Sequence, residues 1–504
     1  MNTPFSYGID HLTVDGALAI ASGRLPAVIT PEAAQKITAS QQHVERIVAR
    51  DQTVYGINTG FGALANTRIA EEDTRLLQHK ILQSHSVGVG EPVPAEIARL
   101  MLVTKVHALA QGFSGVRLET LERILWHLEQ DVIPLVPEKG SVGASGDLAP
   151  LAHLFLPLIG LGEVWYGGKR WPAREVLRRL GKEPLQLGPK EGLGLVNGTQ
   201  FILAYALQGV RRFANCLDAA DIIGAMTLDS LTGTRAPFDE RLHRLRPFKG
   251  ARWVAGRMRQ LLQGSQIMQS HVDCGRVQDP YSLRCIPQVH GASRDAWLHL
   301  NELTEIEANA VTDNPIVFNE QDTISGGNFH GQPLALPLDY ATFAAAEIGN
   351  ISDRRTYLLL EGKWGLPTLL MRQVGLNSGF MIPQYTTAAL VTENKTLCFP
   401  AGADSIPTSL GQEDHVSMGS ISGRKLGKVL DNLEYILAIE LLCACQAIEF
   451  RRPLKSSALL EQAHDYVRQY VSFAEEDRVF AEDVNKIRAI IADFSLVSSL
   501  GSLK

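Results

Sequence analysis

The chain has 504 residues, 45% hydrophobic and 20% charged, an ordinary globular balance with room for a large core and, on length alone, roughly three domains. Its net charge is -6 with no long run of one sign, which gives no footing for a nucleic-acid or anionic-membrane partner. The opening Met-Asn-Thr-Pro-Phe lacks the basic start and apolar run of a secretory signal, and the longest apolar stretch, 148–161, contains His153 and two prolines and is too short to span a bilayer.

Residues 31–50 read as a helix capped by Thr30. Residues 53–62 form a turn-rich loop with three glycines. Helical periodicity returns over 71–84 and 94–109, and glycines too dense for a helix interior break it at 140–146. Residues 160–171 read as a small β-hairpin turning at Gly167-Gly168. Two long helices are expected over 339–360 and 424–450. In the second, Leu433, Ile436, Leu437, Ala438, Leu441 and Leu442 wrap most of the circumference, which suits the centre of a bundle. Alternating strand patterns are scarce, so the fold reads as mainly α with long packed helices. An approximate division falls at residue 200, giving parts 1–200 and 201–504. Six cysteines (216, 274, 285, 398, 443, 445) include no C-x-x-C pair, so free thiols in a reducing cytoplasm are expected.

The segment Gly140-Ser-Val-Gly-Ala-Ser-Gly-Asp-Leu-Ala-Pro150 is the most informative. One reading is a glycine-rich turn before the helix that begins near Asp147. The other starts from Ala144-Ser145-Gly146. Glycine has no Cβ, so the Gly146 nitrogen can approach the Ala144 carbonyl closely. Attack there closes a five-membered ring with loss of one water. Loss of the Ser145 hydroxyl as a second water leaves an exocyclic methylene, and the product, a 4-methylidene-imidazol-5-one, is an electrophile made without an external cofactor.

The run Gly-Ser-x-Gly-Ala-Ser-Gly-Asp-Leu-Ala-Pro-Leu-x-His resembles the cofactor segment of the aromatic amino-acid ammonia-lyases. The resemblance covers nearly the whole chain: Tyr55-Gly-Ile-Asn-Thr-Gly-Phe-Gly62, Glu191-Gly192 with Asn197-Gly-Thr-Gln200, Gln278-Asp-Pro-Tyr-Ser-Leu-Arg-Cys285, Glu307-Ala-Asn-Ala-Val-Thr-Asp-Asn-Pro315, Ser325-Gly-Gly-Asn-Phe-His-Gly331 and Gln412-Glu-Asp-His-Val-Ser-Met418. It implies an ammonia-lyase/fumarase-like fold, with a cofactor-bearing N-terminal part followed by a long central helical bundle. It also implies a homotetramer whose active sites draw residues from three subunits.

The same resemblance suggests roles. Tyr55 corresponds to the general base for the substrate β-proton, and a tyrosine starting near pKa ~10 needs its anion stabilised to serve at neutral pH. Its alternative is a loop aromatic on the core, while a phosphate cradle at these glycines would want a Lys or Ser/Thr that Phe61-Gly62-Ala63 does not offer. Arg284 corresponds to the clamp on the substrate carboxylate, its planar fork matching two oxygens. A structural salt bridge is the alternative. Tyr281, three residues earlier, can face the same cavity on one helical turn, and in the family it lies near the cofactor ring. Asn197 matches a residue near both cofactor and carboxylate, and Gln278 and Phe329 match further pocket positions.

His85 and Glu413 bear on which ring is accepted. A carboxylate facing an imidazole accepts its N–H and stabilises positive charge on it, whereas against a phenyl ring it would be buried without a partner. This points within the family to the histidine branch: elimination of ammonia from L-histidine to give trans-urocanate, the first step of histidine degradation. Tyrosine or phenylalanine lyases, 2,3-aminomutases of the same chemistry, and a non-catalytic helical oligomer are the alternatives. Metal binding by Glu413, Asp414 and His415 is disfavoured, because neighbouring residues on a helical turn point apart. Phe399, Gly402 and Leu410-Gly411 depart from the usual histidine pattern and are candidates for a reshaped pocket or subunit contact.

Overall fold

The computed structural model describes residues 3–50, 54, 56, 57, 59, 60, 62, 69, 71–272 and 275–501. Helix dominates, as the periodicity predicts, and strands are confined to small sheets. Two compact units divide the chain, each assembled from separate stretches. The first comprises 1–208, 300–338 and 400–424, and the second 209–299, 339–399 and 425–504.

In the first unit, helix Pro31–Ala49 begins where expected, with the Thr30 hydroxyl accepting from the Ala33 amide. Its inner face carries Val44 and Ile47 onto Ile57 and Val317. Helix Ala95–Ala110 is an interior element, since almost every residue from Ile97 onward is buried. The predicted hairpin forms from strands Glu163–Tyr166 and Lys169–Pro172. Both turn glycines have positive φ, +57° and +72°, the twist a two-residue hairpin turn requires. Strand Pro137–Lys139 pairs with Val89–Pro92 and leads directly into the glycine-rich loop 140–147, after which helix Leu148–Phe155 starts.

In the second unit, the buried apolar residues belong chiefly to long helices. Helix Gly419–Glu449 buries all six apolar side chains singled out from the sequence. A polar network runs among them. Arg355 donates to both carboxylate oxygens of Glu440, at 2.6 and 2.9 Å. It also donates to His290 Nε2 at 3.2 Å. An arginine cannot accept, so His290 carries its proton on Nδ1 and donates it to Asp221 Oδ1 at 2.8 Å. Arg257 and Arg294 both donate to Asp221 Oδ2 at 2.9 Å. Cys216, Cys285, Cys398, Cys443 and Cys445 are free thiols. Among the described residues, no helix is long and apolar enough to cross a membrane.

Candidate functional site

Two turns of the first unit lie side by side. One is the loop 140–147. The other, 197–199, joins helix Glu191–Val196 to helix Gln200–Ser230. Gly146 and Gly198 form a parallel bridge. The Gly198 N–H donates to the Ser145 carbonyl at 3.2 Å, and the Asp147 N–H donates to the Gly198 carbonyl at 2.8 Å. Ser145 has φ +51° and Gly146 φ +77°. A side-chain-bearing residue in that region is strained and must be held by its surroundings, here by the bridge to 198. A Cβ at position 146 would lie 2.1 Å from the Gly198 carbonyl oxygen, so no other residue fits.

Asp147, fully buried, locks the two turns together. Its Oδ2 accepts from the Phe201 and Ile202 amides at 3.1 and 3.0 Å, and its Oδ1 from the Ser141 hydroxyl at 2.9 Å. It thereby satisfies amides at the start of helix Gln200–Ser230 from a distant part of the chain. Burial pushes its carboxyl up to about 7, against the hydrogen bonds that pull it down.

Behind the 197–199 turn lies a buried polar cluster. Lys105 donates from Nζ to the Asn197 carbonyl at 2.5 Å, and burial pushes its ammonium down to about 7. Lys190 pairs with Asp313 at 2.5 Å and donates to the Ser114 carbonyl. The Asn197 amide donates to the Asn314 carbonyl at 3.1 Å, and its Oδ1 is a buried acceptor with no donor among the described residues. The Thr199 hydroxyl donates to Glu307, whose carboxyl burial raises.

A cavity of about 330 Å³ is lined by Gly143, Ala144 and Ser145 from the loop, by Asn314, Ser325, Gly326, Phe329 and His330, by Gln412 to His415, and by Gly62. Its walls are pinned to one another. The Met418 amide donates to the Val142 carbonyl at 3.0 Å, and the Ser420 hydroxyl to the Ser141 carbonyl at 2.7 Å. His330 and His415 stack with ring centroids 5.6 Å apart. Glu413 lies against Gly62, where an added Cβ would come within 3.1 Å of Oε1, and its Oε2 is buried with no hydrogen-bond partner among the described residues.

Of the residues singled out from the sequence, Ala144, Ser145, Phe329 and Glu413 meet at this cavity. Gly146 and Asn197 sit directly behind those wall residues, through the bridge to Gly198 and the bond to Asn314. His85 does not line it. It ends helix Glu71–His85, half-buried, its Nδ1 bonded to the Ser84 hydroxyl at 2.9 Å, and burial lowers its pKa. Tyr55 lies outside the described residues. Gln278, Tyr281 and Arg284 belong to the second unit. Tyr281 and Arg284 flank the short helix Tyr281–Arg284 on one side, with the guanidinium 4.5 Å from the tyrosine ring centre. Tyr281 is 71% exposed. The sequence assigns no role to Lys105, nor to Asn314, Ser325 and His330, which fall inside matched blocks. For Lys105 a signal exists: it is a lone lysine in the apolar run Met101-Leu-Val-Thr-Lys-Val106.

The family model described as aromatic amino acid lyase matches residues 12–469. The chain is 49% identical over 492 residues to a histidine ammonia-lyase of Sorangium cellulosum, a match covering 95% of this chain and 96% of that protein. The crystal structure of histidine ammonia-lyase from Trypanosoma cruzi aligns with a TM-score of 0.91 at 42% identity, covering 98% of this chain and 94% of that one. Tyrosine aminomutase from Streptomyces globisporus aligns with a TM-score of 0.94 at 33% identity, covering 99% and 98%.

Proposed function

The chain belongs to the aromatic amino acid lyase family, and from that premise we propose that it eliminates ammonia from L-histidine to give trans-urocanate. The observation that carries the choice of histidine is Glu413. A buried carboxylate oxygen without a donor is costly, and here one that has no donor among the described residues belongs to a residue lining the same cavity as Ser145. An imidazole N–H satisfies it and a phenyl ring does not. The relatives named histidine ammonia-lyase support the same reading.

Ala144, Ser145 and Gly146 fit a self-made cofactor. Consecutive positive φ values at Ser145 and Gly146 make a tight turn, and the missing Cβ at 146 lets the Gly198 turn press against it and hold it. Closed into a 4-methylidene-imidazol-5-one, the triplet supplies an electrophile for the substrate amine, converting it into a better leaving group.

The chain's own residues then bind, orient and move protons. Arg284 clamps the substrate carboxylate with two parallel N–H donors, assisted by Asn197 and Gln278. Phe329 supplies an apolar wall, and Tyr281, by the family resemblance, would lie beside the ring. Glu413 accepts from the imidazole, and His85, which does not line this cavity, would reach the other side of the ring from a neighbouring copy. Tyr55 removes the β-proton, a general-base role that needs its phenolate stabilised. Sites shared between copies require an oligomer, which the family resemblance makes a homotetramer, and the free cysteines suit a reducing cytoplasm.

The test is an amino-acid panel scored for ammonia and for the unsaturated or β-amino acid product, run on the parent and on Glu413→Gln. The parent should prefer histidine. The variant keeps shape and loses charge, so kcat/KM for histidine should fall on the order of 10²-fold, as for loss of a charged hydrogen bond, and discrimination against tyrosine and phenylalanine should narrow. A parent that prefers tyrosine or phenylalanine would overturn histidine as substrate and leave the family unchanged.

A further inference from the structure

We infer that Lys105 is a positioning residue for the electrophile, acting through the Asn197–Gly198 peptide on the Ser145 carbonyl oxygen. This inference rests on the proposed cofactor and goes beyond it. A continuous chain of donors and acceptors carries the argument. The Lys105 ammonium donates to the Asn197 carbonyl at 2.5 Å. That carbonyl and the Gly198 N–H belong to one peptide group. The Gly198 N–H in turn donates to the Ser145 carbonyl at 3.2 Å.

A cation on the oxygen of a peptide draws electron density from its nitrogen and makes its N–H a stronger donor, the polarisation expected along hydrogen-bonded chains in a low dielectric. Once the Ser145 side chain is an exocyclic methylene, conjugation places the Ser145 carbonyl oxygen at the far end of the electron-accepting system. A donor aimed at that oxygen is therefore aimed where negative charge develops, the arrangement that stabilises transition states most effectively.

The surroundings suit a relay better than a salt bridge. Lys105 is fully buried on an interior helix, and among the described residues no carboxylate lies within ion-pair distance of it. Asp313, the acid that acts on it most strongly, is bonded to Lys190, and Asp147 acts more weakly. A buried ammonium directed at a single backbone carbonyl is expensive to keep, and its ammonium is pushed down to about 7. Replacing it by an apolar side chain of similar length would remove that desolvation cost and leave the Asn197 carbonyl without its Lys105 donor, so its contribution to folding is a small difference between opposing costs.

The experiment compares Lys105→Met and Lys105→Arg with the parent and with Ser145→Ala. Near-ultraviolet difference spectra report the conjugated ring, and kcat and KM are measured across pH. Lys105→Met should fold, show a shifted or weakened ring band, and lose about tenfold or more in kcat with little change in KM, a relayed fraction of what a direct oxyanion donor supplies. Lys105→Arg keeps its charge at all working pH. It should restore the band and most of kcat, and move the alkaline fall in activity to higher pH. Lys105→Met with the parent's spectrum and kcat within twofold would overturn the inference. So would Lys105→Gln, which keeps a donor and loses the charge, with the parent's band and kcat within twofold, and this decides the matter if the methionine variant does not fold. A ring band that survives in Ser145→Ala would instead overturn the proposed cofactor, whatever Lys105 does.

Discussion

Asp147 converts burial into a pH dependence of stability. Its carboxyl titrates at about 7 in the folded chain and near ~3.9 when unfolded. Between those values the native state holds a proton that the unfolded chain has released, so this group makes the fold less stable as pH rises from about 4 to about 7. Asp147→Asn keeps an acceptor for the Phe201 and Ile202 amides and does not titrate. Measured by urea unfolding at about pH 4.5 and 7.5, the variant should gain on the parent at the higher pH, by at most about 4 kcal/mol. Parallel pH profiles would mean that Asp147 remains ionised in the native state. The sequence marks Asp147 as part of a motif, because its neighbours carry glycines and a reactive triplet. Its acceptor role is not legible there, since the amides it serves lie 54 and 55 residues away. Glu413, which lines the cavity with Ser145, stands out in the sequence through the family's Gln-Glu-Asp-His pattern and through the preference a carboxylate would have for an imidazole over a phenyl ring.

Elements are legible in the sequence where periodicity is strong and less so at their ends. Helix Gln332–Leu360 starts seven residues before the expected 339, because Pro333 and Pro337 look like a stop. Pro333 falls in the first turn, where a missing N–H costs nothing, and Pro337 is tolerated inside the helix. Helix Gly419–Glu449 starts five residues before the expected 424. Its first turn, Gly-Ser-Ile-Ser-Gly, has poor propensity, and the bonds from Met418 and Ser420 to the loop 140–147 hold it in place. What periodicity could not announce is the polar network inside the long helices. Glu440 is fully buried, accepts from Arg355 twice, and accepts from the Thr227 and Ser352 hydroxyls at 2.8 and 2.6 Å. Glu440→Gln strips the charge that compensates Arg355 and should cost about 3–5 kcal/mol in urea unfolding. The double variant Arg355→Met, Glu440→Leu removes both charges and should lie closer to the parent. A single variant as stable as the parent would show that Arg355 finds another counter-charge.

At the scale of the whole molecule, the residues assigned to one reaction are distributed over two compact units, each built from separated stretches of sequence. A linear reading, which divides the chain near residue 200, has no means of seeing that interleaving, because contacts between distant segments leave no periodic trace. The second unit also exposes Tyr340, Phe343, Tyr357, Ile382 and Tyr385, apolar side chains of the kind that subunit interfaces cover. Co-expression tests whether sites are shared between copies. Ser145→Ala lacks the proposed electrophile and Arg284→Ala lacks the carboxylate clamp, so each should be inactive alone. If both residues of a site come from the same chain, mixed oligomers contain no intact site. If they come from different chains, random mixing in equal amounts makes about a quarter of the sites intact. Oligomers carrying two different tags, purified through both, should therefore regain on the order of a quarter of parental kcat per site with an unchanged KM. An inactive mixture of correctly assembled oligomers would mean that Arg284 and Ser145 serve the same site from one chain, and the shared-site arrangement would be wrong. KM is the sharper reading, because a restored site contains every native group, whereas a partly repaired one would bind histidine weakly at any level of kcat.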